Sequence, residues 1–356
     1  MTRREKLLGI LQRRDGDLVS VLCPGGMMSL AVEEVMAEAG AAWPRAHEDA
    51  ASMARLALAM QDATGFDNVA VPFCMTVEAE RFGASVDLGG PLAQPRVRGS
   101  VLPADGTGAL PTPDFTKGRG GALLEAIRLL RAARPDVPVI GNLVGPFSLL
   151  GMLADPLMLL RWTRRKPEIA ARYLEEISGA LIDFGRLQIA AGADLVCVAE
   201  PTATGEILGG RIFGLLVAGC LAKIAGALRA AGAPVILHIC GDTSAIGDEL
   251  RGLHVDAVSF DSMVDVVSLA TRRPPWLVMG NLSPFMLQSG PERSVTQAVR
   301  KLAGGGIRLI SPGCGVVPST PAAHLRAVSQ AACGSLAGSP RESRRGKGTV
   351  TQRRPA

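Results

Sequence analysis

The chain has no run of apolar residues long enough to cross a bilayer unbroken. Its longest apolar stretch, 137–160, is interrupted by Asp155 and by Pro138, Pro146 and Pro156, so no span of roughly 20 apolar residues is expected. The N-terminus, MTRREKLLGILQRR, has neither an apolar signal core nor a small-residue cleavage site, which speaks against secretion and for a cytoplasmic protein. Aromatic residues are scarce at 4%, yet 47% of the 356 residues are hydrophobic and only 20% charged. That balance excludes a disordered or fibrous chain. The seven cysteines are odd in number and scattered, so no disulfide framework is expected; core filling, metal binding or catalysis remain for them.

The net charge of +5 invites a nucleic-acid reading, but the excess sits in residues 337–356. Arg341, Arg344, Arg345, Lys347, Arg353 and Arg354 face a single acid there, Glu342, and the rest of the chain carries 32 basic and 32 acidic residues. The tail is rich in Gly, Ser, Pro and Arg and reads as a solvated, disordered end. Neither a nucleic-acid nor a membrane partner is expected.

What is present is a rhythm. Short β-branched runs at 17–22, 68–72, 137–142, 194–199, 234–239, 255–260, 276–279 and 306–310 alternate with helical spacing over 47–64, 120–133, 166–191, 211–231, 291–302 and 320–332. Length alone would allow one large domain or two small ones. Strand-then-helix alternation predicts parallel strands, and a count near eight favours a closed α/β barrel, (β/α)8, over an open doubly wound sheet. The reading is a single barrel domain over 1–336 with an N-terminal helix and a Gly- and Pro-rich excursion near 81–113.

In such a barrel the residues just after each strand gather on one rim, where barrel enzymes carry their chemistry. Those positions hold Cys74, Glu200, His238, Cys240, Asp261, Asn281 and Cys314. His238 and Cys240 are two apart at a strand's end, so an imidazole and a thiol face one pocket. Cys314, further along, can reach the same pocket. One His and two Cys suit zinc and leave the fourth position open, as catalytic sites do; the same cysteines could instead be buried small hydrophobes. Glu200 and Asp261 read as supports for the ligands, as a displaceable fourth ligand, or as ordinary loop acids or helix N-caps. Cys74, with Glu78 and Glu80 nearby, reads equally as packing or as a substrate contact. His47, His254 and His324 read as surface histidines.

The segments HEDAASMARLALAMQDATGFDNVAVPFCMTVEAERFGASVDLG, VIGNLVGPFSLLGML, VILHICGDTSAIGDEL and ISPGCGVVPSTPAAHLRAV together resemble the methylcobamide:coenzyme M methyltransferases, a branch of the uroporphyrinogen decarboxylase superfamily. The resemblance covers nearly everything from Thr2 to about Ala332. It implies a uroporphyrinogen decarboxylase-like TIM barrel and one Zn2+ per chain on His238, Cys240 and Cys314. The implied reaction moves a methyl group from a methylated corrinoid protein to a small thiol.

The sister activity, decarboxylation, relies in that superfamily on an Arg-rich segment after the first strand. Here the matching segment, VSVLCPGGMMSL, has no arginine, and the decarboxylase G-H-G reads Gly313-Cys314-Gly315. An anionic tetrapyrrole would be left unpaired. A non-catalytic carrier of corrinoid or methyl groups is the other alternative, but no ligand is missing. The D-x-H-x-x-G loop of corrinoid-carrying modules does not occur, so the corrinoid is expected on a partner protein, with the excursion serving as its docking surface or as a structural cap.

Overall fold

The computed structural model describes residues 1–13 and 18–336; the proposed basic tail, and Asp17 at the start of the first expected strand, lie outside them. Eight strands form one sheet: β1 (Ser20–Val21), β2 (Val69–Ala70), β5 (Val139–Val144), β6 (Leu195–Ala199), β7 (Val235–Ile239), β8 (Ala257–Phe260), β9 (Leu277–Met279) and β10 (Leu309–Ile310). Their order is β1-β10-β9-β8-β7-β6-β5-β2, and every neighbouring pair is parallel. The remaining two strands, β3 (Ser85–Asp87) and β4 (Arg96–Arg98), pair antiparallel in the excursion.

The edges β1 and β2 meet without a regular ladder. Asp67 N donates to Val21 O at 2.8 Å and Gly26 N to Pro72 O at 2.8 Å. Asn68 bridges the gap with its side chain, accepting from Cys23 N and donating to Cys23 O, both at 2.9 Å. These bonds close the curled sheet into the α/β barrel.

Why these segments become strands follows from burial on both faces. VIGNLV, LVCVA and VILHI are buried throughout, the near-continuous apolar reading of parallel strands packed between a barrel interior and outer helices. The helices start where short polar side chains stand in for missing acceptors: Asp49 accepts from Ser52 N before Ala50–Thr64, and Asp155 from Leu157 N and Met158 N before Pro156–Arg165. Asp49 also explains why the helix expected from residue 47 starts later. A separate 3-10 turn, Arg45–His47, precedes it.

Two of the three prolines that interrupt the apolar stretch 137–160 are helix starters. Pro146 and Pro156 sit at the first turns of Pro146–Leu153 and Pro156–Arg165, where a missing N–H costs nothing. By length and composition one helix, Gly209–Ala230, could cross a membrane, although the sequence reading expected none. It packs against Pro167–Ala191, with Phe213, Val217, Ile224 and Leu228 fully buried. The excursion is tied down in its middle: Val101 N and Leu102 N donate to Leu153 O, and Gln94 Nε2 reaches Ser29 Oγ at 2.8 Å. This last contact places the excursion against the loop that follows β1.

Candidate metal centre

β7 carries His238 as its penultimate residue, and Cys240 follows the strand directly. The β7–β8 register pairs His238 with Ser259, and His238 Nδ1 lies 3.0 Å from Ser259 Oγ. With that nitrogen occupied, Nε2 is the free face of the ring, and it lies 3.2 Å from Cys240 Sγ. Cys314 arrives from the loop after β10. Gly313 N donates to Leu282 O at 2.7 Å, and a Cβ on Gly313 would stand 2.7 Å from Ser262 N, so only glycine lets the loop pack so closely. Cys314 Sγ comes within 4.0 Å of Cys240 Sγ.

Among the described residues, His238, Cys240 and Cys314 form one group able to hold a metal ion, with ligand atoms all within 4.8 Å of one another. His238 is buried and both cysteines are half-buried. The Cys314 thiol is held down at about 5, first by the hydrogen bond from Cys240 and further by His238 and the Gly315 N–H. Cys240 is pushed up by that same bond, by burial and by the nearby Asp261 charge. The bond between the two sulfurs thus favours the thiolate at Cys314 over Cys240. One nitrogen and two sulfurs converging on a common point fit zinc. By contrast, burial pushes Cys23 up to about 12 and Cys197 higher still; both are core fillers.

Of the other expected site residues, Asp261 stands beside this group. Its Oδ2 accepts from Gly241 N at 3.3 Å and its Oδ1 from Met263 N at 3.2 Å, and the side chain is half-buried next to Cys240's own backbone. Glu200 is elsewhere engaged. Its carboxylate accepts from Phe147 N at 2.9 Å, from Ser148 N at 2.8 Å and from the Ser148 hydroxyl, so it caps the helix Pro146–Leu153. Burial pushes it up to about 7 despite those donors.

Cys74 belongs to a different polar knot. Arg119, 5% exposed, donates to Cys74 Sγ at 2.8 Å, to Thr76 Oγ1 at 3.0 Å, to Glu80 at 3.1 Å and to His47 O at 2.9 Å. The structure also corrects the reading of His47 as a surface residue. It is fully buried, its ring lies 4.9 Å from that of Trp43, and burial holds it down at about 3. His324 is half-buried with Nδ1 2.8 Å from Leu287 O, whereas His254 is exposed as expected.

Two residues near the trio had no sequence signal. Met27 Sδ lies 3.8 Å from Cys240 Sγ, and Met28 Sδ lies 3.5 Å from Ser259 Oγ. Both come from the loop after β1, a segment that the sequence marks only by its lack of arginine. Ser259 itself is a strand residue whose position opposite His238 depends on register.

Comparison with known proteins places this geometry in context. Residues 2–334 match the uroporphyrinogen decarboxylase (URO-D) family. A methylcobamide:CoM methyltransferase (MtaA) of Methanosarcina barkeri is 30% identical over 335 residues, 92% of this chain and 96% of that protein. A second methylcobamide:CoM methyltransferase (MtbA), of Methanosarcina acetivorans, is 32% identical over 329 residues, 91% and 96% of the two chains. The solved structure of a methyltransferase from Methanosarcina mazei superposes with a TM-score of 0.88 at 28% identity, covering 94% of this chain and 99% of that one. The chain belongs to the uroporphyrinogen decarboxylase family, in its methylcobamide:CoM methyltransferase branch.

Proposed function

We propose that the protein is a zinc-dependent methyltransferase that takes a methyl group from a methylated corrinoid protein and gives it to a small thiol such as coenzyme M. The observation that carries this reading is the convergence of His238, Cys240 and Cys314 at the C-terminal ends of β7 and β10. The relatives' named activity supports it.

His238, Cys240 and Cys314 would hold the zinc, which, when bound, presents an acceptor thiol as a thiolate at neutral pH. The chain's residues prepare that chemistry. Ser259 fixes the His238 ring so that Nε2 faces the sulfurs. The two cysteines bring negative charge, which keeps the acceptor sulfur electron-rich. Asp261, accepting from Gly241 N and Met263 N, would hold the Cys240–Gly241 turn in the position from which the thiol faces His238. Glu200 and the Cys74–Arg119 knot brace the ends of β5 and β2 and so shape the barrel mouth. In the transfer the carbon–cobalt bond of the donor breaks with its electron pair left on cobalt, and a carbon–sulfur bond forms on the acceptor.

The corrinoid enters with its partner protein, whose approach is over the rim and the excursion that contacts Ser29. The reading further takes 1–336 as one functional barrel domain, with the basic end apart, acting in the cytoplasm. The absence of arginine in VSVLCPGGMMSL sets it apart from tetrapyrrole decarboxylation. The test is spectroscopic: methylcobalamin with coenzyme M and the purified protein should lose its methyl-cobalt absorbance, with competing thiols ranking the acceptor. Turnover of uroporphyrinogen without methylcobalamin demethylation would reverse the assignment.

A further inference from the structure

Both cysteines of the trio are half-buried, and a metal-bound thiolate remains a nucleophile. A methyl donor at the barrel mouth therefore meets the ligand sulfurs as well as the acceptor, and methylating a ligand would end the cycle. The structure gives Cys240 a cover. After β1 the chain runs Pro24-Gly25-Gly26-Met27-Met28, with Gly25 at φ +86° and Gly26 at φ +59°, conformations that favour glycine. A Cβ on Gly25 would stand 2.8 Å from Asn142 Nδ2, and one on Gly26 2.8 Å from Asn142 Oδ1. Asn142 Nδ2 donates to Pro24 O at 2.6 Å and to Val71 O at 3.1 Å, so the turn is pinned to the barrel wall.

From this turn Met27 reaches Cys240 with its side chain. Its carbonyl packs on Gly315, where a Cβ would stand 2.7 Å away, and its Sδ lies 3.8 Å from Cys240 Sγ. Met27 thus sits between the two cysteine-bearing loops on a backbone that cannot easily shift.

We propose that Met27 is a positioning residue that shields Cys240 from methylation, so that the methyl group passes to the bound acceptor and not to the ligand. The inference rests on the methyltransferase reading above. The side reaction it prevents breaks the carbon–cobalt bond, leaves the electron pair on cobalt as Co(III) becomes Co(I), and bonds the carbon to Cys240 Sγ. The product, S-methylcysteine, is a neutral thioether and a poorer zinc ligand than the thiolate. Because the shield is bulk and not sulfur chemistry, leucine should replace Met27 and alanine should not.

The test incubates the zinc-loaded protein with methylcobalamin in the absence of any thiol, then maps the Cys240 peptide by mass spectrometry and measures retained zinc. Wild type and Met27→Leu should keep Cys240 unmodified. Met27→Ala should gain one methyl on Cys240 about tenfold faster than wild type or more, with zinc lost in step; Met27→Ser should repeat the result if the alanine variant folds poorly. An unmodified Cys240 in a Met27→Ala protein that still demethylates methylcobalamin with coenzyme M overturns the shield and leaves the methyltransferase reading standing. Equal methylation of Cys240 in wild type and Met27→Ala overturns it too. A zinc-loaded wild type with no demethylation under any thiol overturns the reading beneath, and the shield with it.

Discussion

The His238 ring is held from both sides, with Nδ1 3.0 Å from Ser259 Oγ and Nε2 3.2 Å from Cys240 Sγ. The hydroxyl on β8 thereby decides which nitrogen faces the metal pocket. Replacing Ser259 by Ala removes that constraint without touching a ligand. Zinc affinity, measured by competition with a chelator, should fall about 10- to 100-fold. An unchanged affinity would show that packing alone orients the ring.

Glu200 gives a stability signature with a defined sign. Burial raises it from 4.5 to about 7, so between those values the folded protein holds a proton that the unfolded chain has released. Stability should therefore fall as pH rises from about 4.5 to 7 and level off above. Glu78, also raised to about 7 by burial, adds in the same direction. Urea midpoints taken across this window should depend less steeply on pH in Glu200→Gln than in wild type. An unchanged dependence in the variant would mean that the helix cap keeps the carboxylate ionised.

His47 works in the opposite sense. Burial lowers it from 6.5 to about 3, so the unfolded chain binds the proton first, and the stability His47 leaves intact near neutrality is lost as pH falls from about 6.5 towards 3. His47→Phe should abolish that part of the acid limb in the same urea series. An identical limb in the variant would place the loss elsewhere.

Much of the fold was legible because parallel strands buried on both faces are written as short continuous runs, and β5 through β8 fall where those runs lie. β1 and β2 are only two residues long. Their seam is made by the side chain of Asn68 and by bonds such as Asp67 N to Val21 O, which no periodicity announces. The convergence of the trio was legible in part: a period of two fixes the relation of His238 to Cys240, whereas Cys314 joins them only through the fold. For Glu200 the sequence left ligand support and helix cap side by side, and the helix N-terminus beside it takes its carboxylate. Arg119, on the helix Gly118–Ala133, pairs with Cys74 across 45 positions and with the His47 carbonyl across 72, so only the folded chain shows the knot and the burial of His47 within it.

That knot yields its own prediction. Arg119→Met leaves Thr76 and Glu80 without their donor in a mostly buried site, and removing one partner of such a pair costs about 3 kcal/mol. The urea midpoint should drop accordingly while zinc content stays at the wild-type level. Loss of zinc with unchanged stability would instead tie Arg119 to the metal centre.

The most direct test of the account is elemental analysis of the purified protein beside His238→Ala, Cys240→Ala and Cys314→Ala. About one zinc per wild-type chain is expected and none in any of the three variants, each still folded by circular dichroism. Wild-type protein prepared without chelator, folded and free of zinc, or variants that keep their zinc, would contradict it.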